Sequence, residues 1–196
     1  MTEHVEEELA PFHLGQLPAA RRAEVETHVA GCGSCGARSA LLQRAVAKPP
    51  PSKGAFPAAA LDARAAERFA PLLAKLFDIS AEAARGVLQQ VGDEGAWVPA
   101  EPDGVHVLPV ASGPKCEGAF TALARVQPLA AFPHHRHTGR EEVVVLQGGY
   151  VDSEGGEWWQ GDVDVHEAGT AHAFVARKGV ACITAAVLFG EPPFSG

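Results

Sequence analysis

Pro133-His134-His135-Arg136-His137-Thr138-Gly139-Arg140-Glu141 is the stretch on which the fold turns. Side chains of a β-strand alternate between two faces, so residues at odd positions share one of them. His135, His137 and Glu141 are all odd, and Val143 and Val145 continue that face toward a turn at Gly148-Gly149. His134 and Glu142 take the opposite, outward parity. A second group follows at Gly161, Gly169 and His172. Imidazole and carboxylate donors suit Zn, Fe, Mn or Ni, and the residues do not choose among them. Open coordination positions would permit catalysis or ligand sensing. His106 and His166 read as surface or strand residues rather than ligands.

The surroundings of this stretch, from Gly92 onward, alternate short β-like runs with Gly/Pro turns. The runs are Val105–Val110, Ala119–Val126, Glu142–Gln147, Asp162–His166, Ala171–Val175 and Ala181–Leu188. Strands this short at this spacing predict a sandwich or barrel. Toward the N-terminus the period changes. Leu61, Ala65, Phe69, Leu72, Leu73 and Leu76 form one helical stripe over residues 61–91, in which Pro71 is expected to break or kink the helix. Ser80 is placed to cap a further helix carrying Val87, Leu88 and Val91. The proline run within residues 47–60 marks an extended linker and a domain boundary. Residues 3–47 read as three helices, the second opening at Pro18 and the third running from about Gly36 to Ala47. The expected domains are 1–48, a linker at 49–60, a helical segment at 61–93, and a β-domain at 94–196.

The helical N-terminus holds a second cluster, His28-Val29-Ala30-Gly31-Cys32-Gly33-Ser34-Cys35. Residues 28 and 32 lie one helical turn apart, and the tight Cys-x-x-Cys turn brings two sulfurs together. Tetrahedral zinc needs a fourth ligand, for which His4 and His13 are the candidates. Cys116 and Cys182 stand apart in apolar contexts and read as core filler.

Composition narrows the function. The 196 residues are 46% hydrophobic and 20% charged, a globular composition. A formal charge of −8 argues against direct nucleic-acid binding, which takes a Lys/Arg excess. The acidic start is unlike a signal peptide, and no apolar run approaches the roughly 20 residues of a membrane span. The expectation is a soluble, cytoplasmic protein.

The N-terminal pattern resembles the zinc-binding anti-sigma domain of bacteria. It has an early His4, then Leu9-Ala10-Pro11-Phe12-His13-Leu14-Gly15-Gln16-Leu17, then Glu26-Thr27-His28 and the two cysteines. That resemblance implies His4, His28, Cys32 and Cys35 as zinc ligands and puts His13 on a non-ligand position. His135, His137, Glu141 and Gly148, followed by Gly161, Gly169 and His172, resemble the two cupin motifs and imply a metal held by His135, His137, Glu141 and His172. Leu129, Glu167 and Ala176 stand where those motifs usually have Gly, Pro and Asn. The pairing is similar to ChrR-type anti-sigma factors. It implies a multidomain α plus all-β protein: a zinc-bound helical bundle, a helical linker region and a C-terminal double-stranded β-helix (jelly-roll) barrel. It further implies that the helical domain, with a possible contribution from the 61–77 helix, sequesters an extracytoplasmic-function sigma factor. The cupin would sense oxidative stress (singlet oxygen or hydroperoxide) or a small-molecule ligand, with no enzymatic role. The alternative is a cupin metalloenzyme, an Fe(II)-dependent dioxygenase with an accessory zinc module.

Overall fold

The computed structural model describes residues 4–48, 61 and 63–191. The expected linker at 49–60 lies outside the described residues. Five helices precede ten strands: α1 Glu6–His13, α2 Ala19–Gly31, α3 Gly33–Val46, α4 Ala63–Phe77 and α5 Ala81–Gln90. The strands are β1 Val98–Ala100, β2 Val105–Pro109, β3 Ala119–Val126, β4 Ala131–Arg136, β5 Glu141–Gln147, β6 Gly149–Asp152, β7 Glu157–Trp159, β8 Val163–His166, β9 Ala171–Ala176 and β10 Cys182–Phe189. They form a six-stranded sheet, β1-β2-β3-β10-β5-β8, and a four-stranded sheet, β4-β9-β6-β7. Every pairing is antiparallel. The two sheets enclose a cupin barrel whose lumen is filled by Val105, Val126, Phe132, Val145, Tyr150, Ala176 and Cys182.

Helices cover both outer faces. The α4–α5 pair packs Phe69, Ala70, Leu73, Phe77, Ala84 and Leu88 on the outer side of the large sheet, against Leu123, Val144, Leu146, Ile183, Ala185 and Val187. α1–α3 pack Leu9, Val25, Leu42 and Ala45 together with Val151 and Val175 of the small sheet. Phe69 and Leu73 of the α4 stripe are therefore buried against the barrel, whereas Leu72 stays 39% exposed. Ser80 caps α5 as expected, its Oγ accepting from Ala83 N–H at 3.1 Å. Pro71 does not break α4, which runs from Ala63 to Phe77. Proline deletes one helical hydrogen bond, and the fully buried Phe69, Ala70, Leu73 and Phe77 around it hold the helix on the sheet regardless.

Three backbone details shape the barrel. The β4–β9 pairing shifts register between Phe132 and His135. Phe132 and His135 both face the lumen despite opposite parity, because the irregularity at Pro133-His134 inserts the extra step. Gly148, joining β5 to β6, has φ 66, a left-handed value that disfavours a side chain. Leu129, at the position where the motif favours glycine, adopts φ 64 nonetheless. A non-glycine residue there carries strain of roughly 1–2 kcal/mol, offset here by packing of Leu129 against the helical cluster.

Because Leu73 is fully buried between α4 and the sheet, Leu73→Ala should lower unfolding stability by about 2–5 kcal/mol in a denaturant titration.

Candidate metal centres

The helical cluster is assembled at the junction of α2 and α3. His28 ends its turn of α2, Cys32 links the two helices in an extended conformation, and Cys35 is buried in the first turn of α3. His4, just ahead of α1, brings its Nδ1 to 3.4 Å from Cys35 Sγ and 3.7 Å from Cys32 Sγ. Zn–S near 2.3 Å and Zn–N near 2.0–2.1 Å give a tetrahedron with N···S edges of about 3.6 Å, so these distances fit one ion. His28 Nε2 is buried with no hydrogen-bond partner, and one ligand atom from each of His4, His28, Cys32 and Cys35 lies within 4.8 Å of every other. The Cys32 thiol is pulled down to about 6, first by the Ser34 hydroxyl and then by the Cys35 backbone N–H; a thiolate is the form that ligates zinc. His13 is not in this group: its Nε2 bonds Ser39 Oγ at 2.8 Å.

The second cluster lies at one end of the barrel lumen. His135 comes from β4, His137 from the turn after it, Glu141 from the start of β5 and His172 from β9. The odd-parity reading brings the right residues together, although β4 and β5 lie in different sheets and the chain turns between them. Both inner faces look into the same lumen. His137 is held by two backbone bonds, its N–H donating to Thr170 O at 2.9 Å and its carbonyl accepting from Gly169 N–H at 2.8 Å. Gly169, with φ 91, makes the turn that puts His172 beside it. His135 Nδ1 bonds Pro133 O at 3.0 Å, which leaves Nε2 for the interior. His137 Nδ1 lies 3.1 Å from Glu141 Oε2. His137 Nε2 and His172 Nδ1 are buried without partners. An orphaned buried nitrogen costs about 1–3 kcal/mol, a cost that a bound ion removes. Ligand atoms of all four residues lie within 4.8 Å of one another. Burial, then the neighbouring imidazoles, push His172 down to about 3, and burial also lowers His135; neutral imidazole is the ligating form.

Beside this cluster is a cavity of about 60 Å³ with apolar walls including Val105, Phe120, Phe132, Phe174 and Leu188. His166 also lines it. His166 is a strand residue and not one of the four candidate ligands, as expected, but it faces the interior rather than the surface, because β8 is amphipathic in the unexpected sense. Val163 and Val165 are exposed at 43% and 41%, whereas Asp164 is 3% exposed and faces inward. Polar residues face the lumen here because the lumen holds the polar cluster. The Val-Asp-Val-His alternation carried that signal, but only the pairing of Glu141 with His166 reveals which face is interior. His106 is likewise partly buried, its Nδ1 enclosed without a partner, while His134 is exposed as expected. Cys116 and Cys182 are buried in the core clusters.

A helical His/Cys module joined to a cupin barrel with a His/Glu cluster defines the class of this protein. The chain belongs to the ChrR cupin-like family: the family model described as the ChrR cupin-like domain matches residues 87–188. A second model, described as a putative zinc-finger, matches residues 3–36. No curated protein matches the chain. Among solved structures, the chain is similar to Rhodobacter sphaeroides SigE in complex with the anti-sigma ChrR, at 24% identity and TM-score 0.46, covering 96% of this chain and 98% of that one. KdgF from Halomonas sp. aligns at 19% identity and TM-score 0.41, covering 48% of this chain and 86% of that one. An acetylacetone dioxygenase from Acinetobacter johnsonii aligns at 17% identity and TM-score 0.43, covering 50% and 70%. No helix among the described residues is long and apolar enough to cross a membrane.

Elemental analysis of the purified chain should find two metal ions per chain. His135→Ala with His172→Ala should leave one, and Cys32→Ser with Cys35→Ser should remove the other.

Proposed function

We propose that this protein is an anti-sigma factor: the helical module α1–α3, held by zinc at His4, His28, Cys32 and Cys35, sequesters an extracytoplasmic-function sigma factor. The cupin, with a divalent metal at His135, His137, Glu141 and His172, is the sensor that triggers release on oxidant or ligand. Membership of the ChrR cupin-like family and the zinc-finger match at 3–36 support the two roles. The protein acts in the cytoplasm, where such a partner resides, and has no enzymatic step of its own.

The observation that carries the sensor reading is strand β9. Its inward side chains include His172 of the candidate centre and Phe174 of the cavity wall. Its outward Val175 is fully buried in the core shared with α1–α3. Polar contacts fix the same junction. Arg177 donates to Arg44 O at 3.1 Å, and Lys178 N–H donates to Ala45 O at 3.2 Å, so residues just after β9 satisfy carbonyls at the C-terminal end of α3. Arg44 in turn donates to Asp152 O at 2.8 Å and Gly156 O at 2.7 Å. Glu157 pairs with both arginines, at 2.8 Å from Arg177 and 3.6 Å from Arg44, and Arg177 stacks on the Trp159 ring at 3.6 Å. A change at His172 that moves β9 must be felt by α3. A trigger acts only through differential affinity for the held and released states, and the donor set at the lumen supplies a group that can change.

The test is co-purification and release. The full chain expressed in its native host should retain a sigma factor, and oxidant should release it. Recovery of no sigma factor sinks the reading. Arg177→Ala, which loosens the junction without touching either cluster, should still bind the sigma factor but release it at least several-fold less on oxidant. His135→Ala with His137→Ala should do the same, and normal release by that variant overturns the cupin as sensor. One observation favours a second reading, a dioxygenase-type enzyme: the apolar cavity beside the centre. Oxygen uptake by the Fe(II)-loaded chain with small aromatic or thiol substrates would support it.

A further inference from the structure

Behind the four candidate ligands stands a buried trio that none of the motifs includes. Asp164 Oδ2 accepts two hydrogen bonds, from Tyr150 OH at 2.6 Å and from His166 Nε2 at 2.9 Å. Asp164 and Tyr150 are each 3% exposed, and the His166 side chain is 14% exposed. Burial alone would lift the Asp164 carboxyl, but the bonds from His166 and Tyr150 outweigh it and hold the group below its ordinary value. The carboxylate therefore fixes the His166 ring, since a hydrogen bond to Nε2 determines which nitrogen is tethered and how the ring is turned.

The ring so fixed touches the centre from β8, a strand that contributes none of the four ligands. It stacks on His137 with centroids 4.6 Å apart and planes within 1°. It meets His172 at 4.2 Å and 63°. Its Cα partner across the β5–β8 pairing is Glu141. Three of the four candidate ligands thus have His166 as a neighbour, while His137 Nε2 and His172 Nδ1 carry no hydrogen bond of their own. Ring planes of ligating imidazoles are ordinarily set by a hydrogen bond on the second nitrogen. The His172 ring carries no hydrogen bond at Nδ1, so the packing of His166 against it bears on how the ring is turned.

We propose that Tyr150, Asp164 and His166 form a positioning buttress for the barrel centre: Asp164 anchors His166, and His166 sets the ring planes of His137 and His172 and hence the geometry in which an ion is held. This rests on reading His135, His137, Glu141 and His172 as a metal centre. His166 acts through the ligands and is not itself one. Its parallel stack on His137 points the two rings side by side rather than at a common atom.

The experiment is cobalt(II) titration of the full chain, comparing wild type with Asp164→Asn, His166→Phe and His166→Ala. The thiolate charge-transfer band of the Cys32/Cys35 cluster reports the helical site separately and serves as an internal control. Asp164→Asn removes the anchoring charge; His166→Phe keeps a flat ring but cannot reach Asp164 with a nitrogen. Both should weaken cobalt at the barrel about 10–100-fold, the usual scale for lost support around a ligand, and shift its d–d bands, with the helical-site band unchanged. His166→Ala should do at least as much; if it fails to fold, the other two variants carry the test. Wild-type affinity and bands in Asp164→Asn and His166→Phe overturn the buttress, as does a lowered melting temperature of the metal-free chain with unchanged bands, which marks a purely structural role. A wild-type chain that takes up no cobalt at the barrel defeats the metal centre and the buttress together; normal wild-type uptake with indifferent variants defeats the buttress alone.

Discussion

A β-strand sends successive side chains to opposite faces, and the organisation of this molecule depends on β9 using both. His172 and Phe174 go into the lumen, and Val175 goes out to the helical module. Each face is buried by different chemistry: imidazoles and aromatic rings inside, aliphatic groups outside. A strand buried on both sides cannot shift its register by one residue without exchanging the two sets, which would bury His172 in an apolar core and Val175 against the polar cluster. That constraint holds the candidate centre and the helical module in fixed relation.

Helices on both outer faces follow from the same economy of surface. The large sheet buries its outer face under α4 and α5, the small sheet under α1–α3. Leu9, Val25 and Leu42 are each at most 1% exposed, and burial of each contributes about 1.5–3 kcal/mol. A three-helix module this small gains stability from the barrel surface it rests on, and a metal ion at the proposed His4, His28, Cys32 and Cys35 cluster would add to it by tying the helices together. The Arg44–Glu157–Arg177 group adds orientation more than energy, because Glu157 is 45% exposed and such pairs are screened by solvent.

Both candidate clusters were legible in the residues because their spacing obeys local geometry. His28 and Cys32 are one helical turn apart, and Cys-x-x-Cys closes within a turn, so no long-range information is needed to group them. The choice of His4 over His13 was open on residue chemistry alone and came only from the pattern's resemblance; in the fold His4 reaches the sulfurs while His13 is engaged by Ser39. The parity argument grouped His135, His137 and Glu141 although the chain turns between β4 and β5, because both inner faces enclose one lumen. Parity fails within β4 itself, where Phe132 and His135 share a face across the irregularity at Pro133-His134.

The sequence by itself determined the two donor sets, the passage from helical to β-structure near Gly92 and the family to which the barrel belongs, since each is written in spacing of a few residues. Only the tertiary structure decided three things. It turned the polar face of β8 inward and so brought Tyr150, Asp164 and His166 behind the centre. It buried Phe69 and Leu73 of the α4 stripe on the large sheet. It seated the C-terminal end of α3 against β9, joining residues 44 and 177. The physical reason is common to all three: which face of an amphipathic element is interior depends on partners far away in the chain, and alternation alone states that two faces differ without saying which one meets the protein.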